Sequence, residues 1–424
     1  MDETRTQDMR AWVLHPDIKS DRTRRDPEVA LAEAVALAAA LPDLEVVGGD
    51  VINLPKIHPG MLFGKGKIAE LKARIEAEEI GLILIDGPVS PVQQRNLEKE
   101  WQVKLLDRTG LILEIFSDRA RTREGVLQVE MAALSYQRTR LVRAWTHLER
   151  QRGGVGFVGG PGETQIEADR RAIDDHLVRL KKQLAKVVKT RELHRAARAK
   201  VPYPVVALVG YTNAGKSTLF NRMTGASVMA EDMLFATLDP TMRGVELPSG
   251  KKVILSDTVG FISELPTQLV AAFRATLEEV LGADLICHVR DISHANTAEQ
   301  ARDVTAILKQ LGVSDATPQI ELWNKIDALP PESRAALETQ AARQENVLPI
   351  SALTGAGLDK FYDAIAVALD DERTRRDLTL TFSQGRKRAW LHEQNVVEAE
   401  EQTDDGFALT VYWTPRQERE FRTM

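Results

Sequence analysis

Residues 205–218 read VVALVGYTNAGKST, an apolar run that breaks into Gly210-x-x-x-x-Gly215-Lys216-Ser217. The run has the length and β-branched content of a buried strand, and the TLFNRM that overlaps its end continues as a helix. Strand, glycine loop and helix in that order make a phosphate loop. The glycines let the backbone N–H groups of Tyr211, Thr212, Asn213 and Ala214 face phosphate oxygens. Lys216 reaches the β- and γ-phosphates, and the Ser217 hydroxyl, followed by Thr218, ligates Mg²⁺ at the helix N-terminus. This stretch places the chain in the α/β class, with a doubly wound sheet around the loop.

Three further stretches fall in the order such a site needs. VILSDTVG (253–260) is a strand ending in Asp257-Thr258-Val259-Gly260; Asp257 belongs to the outer Mg²⁺ shell, and the Gly260 amide senses the γ-phosphate. Between it and the phosphate loop lies LFATLDPTM (234–242). There Phe235, Ala236, Thr237, Leu238 and Asp239 form the expected first switch, with Thr237 as a second Mg²⁺ hydroxyl. Thr241 competes for that role, and the order F-x-T favours Thr237. IELWNKID (320–327) is a strand ending in Asn324-Lys325-Ile326-Asp327. An aspartate there accepts from guanine N1–H and N2–H₂ together, a donor pair adenine lacks, so the element selects GTP over ATP. VLPISAL (347–353) puts Ser351, Ala352 and Leu353 on a loop where the Ala352 amide meets guanine O6. Four elements at strand ends, correctly ordered, point to a guanine-nucleotide domain, with Lys216, Thr237 and Gly260 as the candidates for catalysis.

One position departs from the usual pattern. Many such switches place a glutamine after the D-x-x-G glycine to orient the attacking water, and Phe261 stands there instead. A phenyl ring neither donates nor accepts a conventional hydrogen bond, so slow intrinsic hydrolysis and dependence on a partner are expected. No residue stands out as a general base.

The chain has 424 residues, 43% hydrophobic and 28% charged, with a net charge of −6, which fits a soluble multidomain protein. No apolar run is long enough for a membrane span, and the polar start MDETRTQDMR carries no secretory signal. The single cysteine, Cys287, excludes an internal disulfide and a cysteine-built metal site, and reads as a small buried hydrophobe. The eight histidines show no metal spacing. A cytoplasmic monomer is expected. Charge is uneven: residues 137–152 hold five basic residues and one acidic, and 186–200 hold six and one. Two basic stretches on an acidic chain suit a structured, phosphate-rich partner.

Strands at 10–16, 44–48, 81–86 and 103–106 alternate with helices at 27–41, 64–80 and 90–101, which predicts a small parallel α/β domain over 1–116. Apolar residues at helical spacing then predict a hairpin over 117–200. Its first helix follows from about 118 and its second runs from about 164 to 199. They are joined by RGGVGFVGGPGETQ (152–165), with six glycines and one proline, flanked by Arg150, Arg152, Arg170 and Arg171. The GTPase domain is expected at 201–370, opened by the boundary VPYPVV. A small C-terminal α/β domain is expected at 371–424.

GYTNAGKST, FATLDPT, DTVGF and NKID, preceded by RGGVGFVGGPGETQIEADRR, resemble the HflX family of ribosome-associated GTPases. GKGKIAEL and FSDRARTREGVLQVEMAAL extend the resemblance over essentially the whole chain, and the glycine-rich stretch is its most family-specific part. The resemblance implies an N-terminal α/β domain and a helical hairpin before the GTPase domain. The implied partner is the large (50S) ribosomal subunit with its rRNA, and the implied role is to separate or rescue stalled ribosomes, notably under stress. Asn213 also matches a phosphate-loop asparagine that coordinates K⁺ in some related GTPases. Three alternatives stand beside this reading: an RNA-modifying GTPase, a ribosome-assembly GTPase, and a switch with a second nucleotide site in the N-terminal domain. Against the first, Cys287 lies in the GTPase domain rather than near the C-terminus. Against a KH-type assembly factor, residues 372–424 contain no G-x-x-G loop.

Overall fold

The computed structural model describes residues 9–20, 25–151, 161–198, 203–226, 234–235, 241–263, 280–314, 317–369, 374–394, 396–403, 405–413, 417–418 and 421–422. Four strands, β1 (Met9–Ile18), β2 (Leu44–Leu54), β3 (Leu82–Ile85) and β4 (Lys104–Asp107), form a parallel sheet in the order β2-β1-β3-β4. Helices α1 (Pro27–Ala38), α2 (Lys65–Ala77) and α3 (Pro91–Trp101) connect them, as parallel strands require. Their starts are locally encoded. The Asp26 side chain accepts from the Glu28 and Val29 N–H groups, and Ser90 with Gln93 forms a capping box. β2 runs on to Leu54, beyond the expected strand.

Residues 108–119 form a helix that the sequence reading did not assign, α4 (Arg108–Arg119). Asp107 ends β4 and caps α4 by accepting the Gly110 N–H at 2.8 Å. Leu111, Ile112, Leu113, Ile115 and Phe116 are all buried, so α4 has too little polar face to show a helical period. Two long helices follow, α5 (Arg123–Gln151) and α6 (Pro161–Arg198). They pack side by side, with an Arg138–Asp174 ion pair at 2.7 Å. Asp107 anchors α5 by accepting the Tyr136 hydroxyl at 2.5 Å and pairing with Arg140 at 2.9 Å. The second helix begins three residues earlier than expected, because a proline is tolerated in a helix's first turn. Residues 152–160 of the glycine-rich stretch, with Arg152, lie outside the described residues, as do the side chains around them.

Six strands build the second sheet: β5 (Val205–Gly210), β6 (Thr241–Glu246), β7 (Lys252–Asp257), β8 (Leu285–Asp291), β9 (Gln319–Asn324) and β10 (Val347–Pro349). Their order is β10-β9-β8-β5-β7-β6, and only β6, antiparallel to β7, breaks the parallel run. Val206, Ala207, Leu208, Leu255, Leu285, Ile286 and Leu322 are wholly buried, the continuous apolar strands expected when helices cover both faces. The covering helices include α7 (Lys216–Thr224), α8 (Thr297–Leu311) and α9 (Pro331–Ala341), and α10 (Leu358–Ala368) follows β10 in the chain. β5, β7, β9 and β10 each deliver a sequence motif at their C-terminal ends, the edge where ligands bind in open α/β sheets.

Residues 360–424, with the turn 247–251, form a separate compact unit. Its antiparallel sheet orders β11 (Thr374–Thr381), β13 (Gly406–Trp413) and β12 (Val397–Thr403). Leu380, Leu409, Val411 and Trp413 form its core with Leu391 of α11 (Gly385–Glu393), Val396 and Phe421. Among the described residues, no helix is long and apolar enough to cross a membrane.

Candidate nucleotide site

Lys216 is the first residue of α7 and is 6% exposed. Its ammonium donates to the Tyr211 carbonyl at 2.8 Å and the Gly210 carbonyl at 3.2 Å, so the loop curls around its own cation. Burial pushes the Lys216 pKa down to about 8, and the Asp257 carboxylate opposes that shift. Gly215 before it has φ +92°, and a Cβ there would stand 2.3 Å from the Asn324 side-chain nitrogen. Both the left-handed backbone and the close approach demand glycine.

The D-x-x-G element lies directly on the phosphate loop. The Phe261 N–H donates to the Gly210 carbonyl at 3.1 Å, and the Thr212 N–H donates to the Phe261 carbonyl at 2.7 Å. A Cβ on Gly260 would meet Thr212 Cγ2 at 2.7 Å, Thr212 Cα at 2.9 Å and the Lys216 ammonium at 3.2 Å. The Gly260 backbone is therefore within reach of whatever Lys216 holds. Thr258 secures the turn, its hydroxyl donating to the Leu208 carbonyl at 2.7 Å. Phe261 is 1% exposed and packs in the core with Tyr211, Val259 and Ile262. Its ring faces hydrophobic neighbours, and its backbone makes the contacts with the loop.

The Ser217 hydroxyl donates to Asp257 Oδ2 at 2.7 Å, so the two expected Mg²⁺ positions are in contact. A hydroxyl and a carboxylate at the phosphate cradle are hard oxygen donors and fit Mg²⁺, which takes few protein ligands and completes its shell with phosphate and water. Among the described residues, no group of three or more His, Cys, Asp or Glu offers a competing metal site. Thr237, with Ala236, Leu238 and Asp239, lies outside the described residues. Phe235 is buried, with its ring edge-on to Phe116 of α4 at 4.7 Å. The alternative threonine, Thr241, lies in β6 opposite Asp257.

Asn324 is buried, and both ends of its amide are engaged. Nδ2 donates to the Ala214 carbonyl at 2.8 Å, and Oδ1 accepts the Ala352 N–H at 2.9 Å. It ties the phosphate loop to the Ser351–Leu353 loop, and its amide group serves the protein itself. The Ala352 N–H, expected at guanine O6, is likewise already given to Asn324. Asp327 accepts the Ser351 hydroxyl at 2.5 Å, an arrangement in which a carboxylate still offers lone pairs to a guanine edge. Lys325 pairs with Asp291 at 2.8 Å.

Some site-forming residues carry no motif. Arg222 of α7 donates to the Ala352 carbonyl at 2.7 Å and to the Leu353 carbonyl, and so supports the base-side loop from beneath. Nothing in its local sequence marks it. Cys287 is fully buried, and burial pushes its thiol pKa up, so it is inert. His288, also buried, has its pKa pushed down to about 4, mainly by burial, and is neutral at physiological pH.

The GTP-binding GTPase N-terminal family matches residues 28–117, and the GTP-binding GTPase Middle Region family matches 119–198. The 50S ribosome-binding GTPase family matches 205–325, and the HflX C-terminal domain family matches 336–423. A GTPase HflX of Magnetococcus marinus is 50% identical over 393 residues, covering 92% of this chain and 89% of the relative. The chain belongs to the GTPase HflX family. The Escherichia coli GTPase HflX is 42% identical over 93% of this chain and 91% of its own length. The solved structure of SsGBP with GDP aligns with 85% of this chain and 98% of its own, at 25% identity and a TM-score of 0.48. As a member of the HflX family the chain is a GTPase, and the phosphate loop, D-x-x-G turn and base-side loops described above converge on one edge of its sheet. GTPases of this family generally use Mg²⁺, in keeping with the Ser217–Asp257 pair.

Proposed function

We propose that this GTPase acts on the large ribosomal subunit, that docking there accelerates its GTP hydrolysis, and that it separates or rescues stalled ribosomes under stress. The observation that carries the reading is the long helical arm, whose first helix packs on α3 and α4. α5 and α6 span 29 and 38 residues, and the described part of α6 exposes Arg170, Arg171, Arg179, Lys181, Lys182, Lys186 and Lys189. Such a lysine- and arginine-rich helix suits an RNA backbone. The match of residues 205–325 to a family described as 50S ribosome-binding GTPases supports the same partner, and that partner implies a cytoplasmic location.

Within this reading the four parts are an α/β domain (1–116), the arm (117–200), the GTPase domain (201–370) and the C-terminal domain (371–424). Lys216 stabilises phosphate charge, Ser217 and Thr237 hold Mg²⁺, Gly260 senses the γ-phosphate and Asp327 reads guanine. Bound Mg²⁺ would supply charge neutralisation at the transferred phosphoryl group. Asn213 is exposed and left-handed, with φ 57°, and is the residue through which K⁺ would add a further positive charge.

The test is GTP turnover by the chain with and without purified large subunits, for the intact protein and for one with residues 153–162 replaced by a serine linker. Stimulation that disappears with the replacement is the expected result. Fast turnover without ribosomes, unchanged on adding them, would overturn the partner reading.

A further inference from the structure

One carboxylate, 13% exposed, joins the first sheet's helices to the phosphate loop and to the D-x-x-G turn of the nucleotide site. Glu33 of α1 accepts the Tyr211 phenol at 2.6 Å, pairs with Arg25 at 3.0 Å and with the buried guanidinium of Arg108 at the start of α4. Arg108 is held in turn by Asp86 at 2.6 Å and donates to the Ser263 carbonyl at 3.0 Å. The Tyr211 oxygen also accepts the Ser263 N–H at 2.7 Å and lies 2.7 Å from the Ser263 hydroxyl. Tyr211 follows the first glycine of the phosphate loop, and Ser263 follows Phe261 by two residues. Glu33 and Tyr211 are 178 residues apart in the chain.

We propose that Glu33 is a positioning residue for GTP hydrolysis, acting through Tyr211 on the phosphate loop and, with Arg108, on the turn that carries Gly260 and Ser263. Phe261 has its ring in the core and cannot orient water. What the site offers the reacting phosphate is fixed charge and backbone: Lys216, the loop amides and Gly260. Electrostatic stabilisation of this kind depends on placement within a fraction of an ångström. Two pinned points follow Gly260 directly, the Tyr211–Phe261 bridge and, two residues further on, Ser263. Ser263 has its N–H and its carbonyl engaged by Tyr211 and Arg108, the second of which lies outside the GTPase sheet. Buried charges tolerate poor pairing badly, so this network holds one geometry rather than several.

The proposal rests on GTP hydrolysis alone and not on the ribosomal partner. Its test uses the full chain with Glu33→Ala, Tyr211→Phe and the double substitution. The readouts are the single-turnover rate at saturating GTP, KM, GDP affinity and thermal unfolding. Tyr211→Phe removes one oxygen and keeps the ring, so it reports on the contact even where Glu33→Ala folds poorly. Each single substitution is expected to lower the rate at least about tenfold while KM and GDP affinity move less than about threefold. The double variant is expected to lose less than the product of the two single losses, because the Glu33–Tyr211 contact is common to both. A wild-type rate, a faster rate, a change in KM alone, or losses that multiply in the double variant would each overturn it. A lowered melting temperature with an unchanged rate would assign Glu33 to packing only.

Discussion

The side-chain amide of Asn324 bridges two loops of the nucleotide site, donating to the Ala214 carbonyl at 2.8 Å and accepting the Ala352 N–H at 2.9 Å. It is 1% exposed, so neither loop can exchange it for water. Asn324→Ala leaves a buried carbonyl and a buried N–H without their partner, at about 1–3 kcal/mol. Nucleotide affinity is expected to fall roughly 5- to 150-fold for GDP and GTP alike, since that cost falls on the cradle both share. Fluorescent-nucleotide titration checks it, and a loss confined to GTP would contradict the clamp.

Lys216 makes nucleotide binding pH-dependent. Its pKa is pushed down to about 8 by burial, whereas a bound phosphate favours the ammonium form and raises that pKa. Binding therefore takes up a proton between about pH 8 and the raised pKa of the bound lysine, and none well below that window. Affinity for GDP is expected to be flat from about pH 6 to about pH 7.5 and to fall above about pH 8 by up to tenfold per unit. Isothermal titration in buffers of different ionisation enthalpy would report the proton directly. An affinity that rises with pH would place the lysine pKa elsewhere.

Much of the site was legible because its motifs are local. Gly210 to Ser217, Asp257 to Gly260, Asn324 to Asp327 and Ser351 with Ala352 each sit at a strand end, and strand ends are marked by an apolar run followed by polar and glycine residues. What those residues bind within the protein was not legible. Asn324 meets a carbonyl 110 residues away, and Glu33 meets a phenol 178 residues away, and no local pattern encodes either. α4 escaped notice for the opposite reason: an apolar run buried nearly all round loses the period that announces a helix. Phe261 marked the departure from the usual glutamine in the sequence, while its burial in the core needed the packing around it.

That burial decides what restoring the usual glutamine would do. Phe261 is 1% exposed and shares a core with Tyr211, Val259 and Ile262, so its ring does not line an open cradle. Phe261→Gln would place an amide in that apolar site with no partner, costing at least about 1–3 kcal/mol of folding stability. Intrinsic GTP turnover is not expected to rise, because the new side chain starts in the wrong place to hold a water. Denaturant unfolding and single-turnover kinetics together test this. A variant that is as stable as the parent and hydrolyses GTP faster would show that the side chain swings to the nucleotide.

Gly260 gives a separable prediction, because GDP lacks the γ-phosphate that its amide is proposed to sense. An added methyl would stand 2.7–2.9 Å from Thr212, including its backbone Cα, and 3.2 Å from the Lys216 ammonium. The ammonium sits on a flexible stem and can yield, but the Thr212 backbone is part of the phosphate loop and cannot without deforming the cradle. Gly260→Ala must therefore lift the switch segment away from the loop. The hydrolysis rate at saturating GTP is expected to fall at least about a hundredfold, the scale of losing one well-placed backbone donor. GDP affinity is expected to stay within about threefold, because the groups that hold a diphosphate remain in place. Equal losses for GDP binding and hydrolysis would mean that the methyl damages the phosphate loop itself, and that Gly260 serves the fold of the site more than its response to the third phosphate.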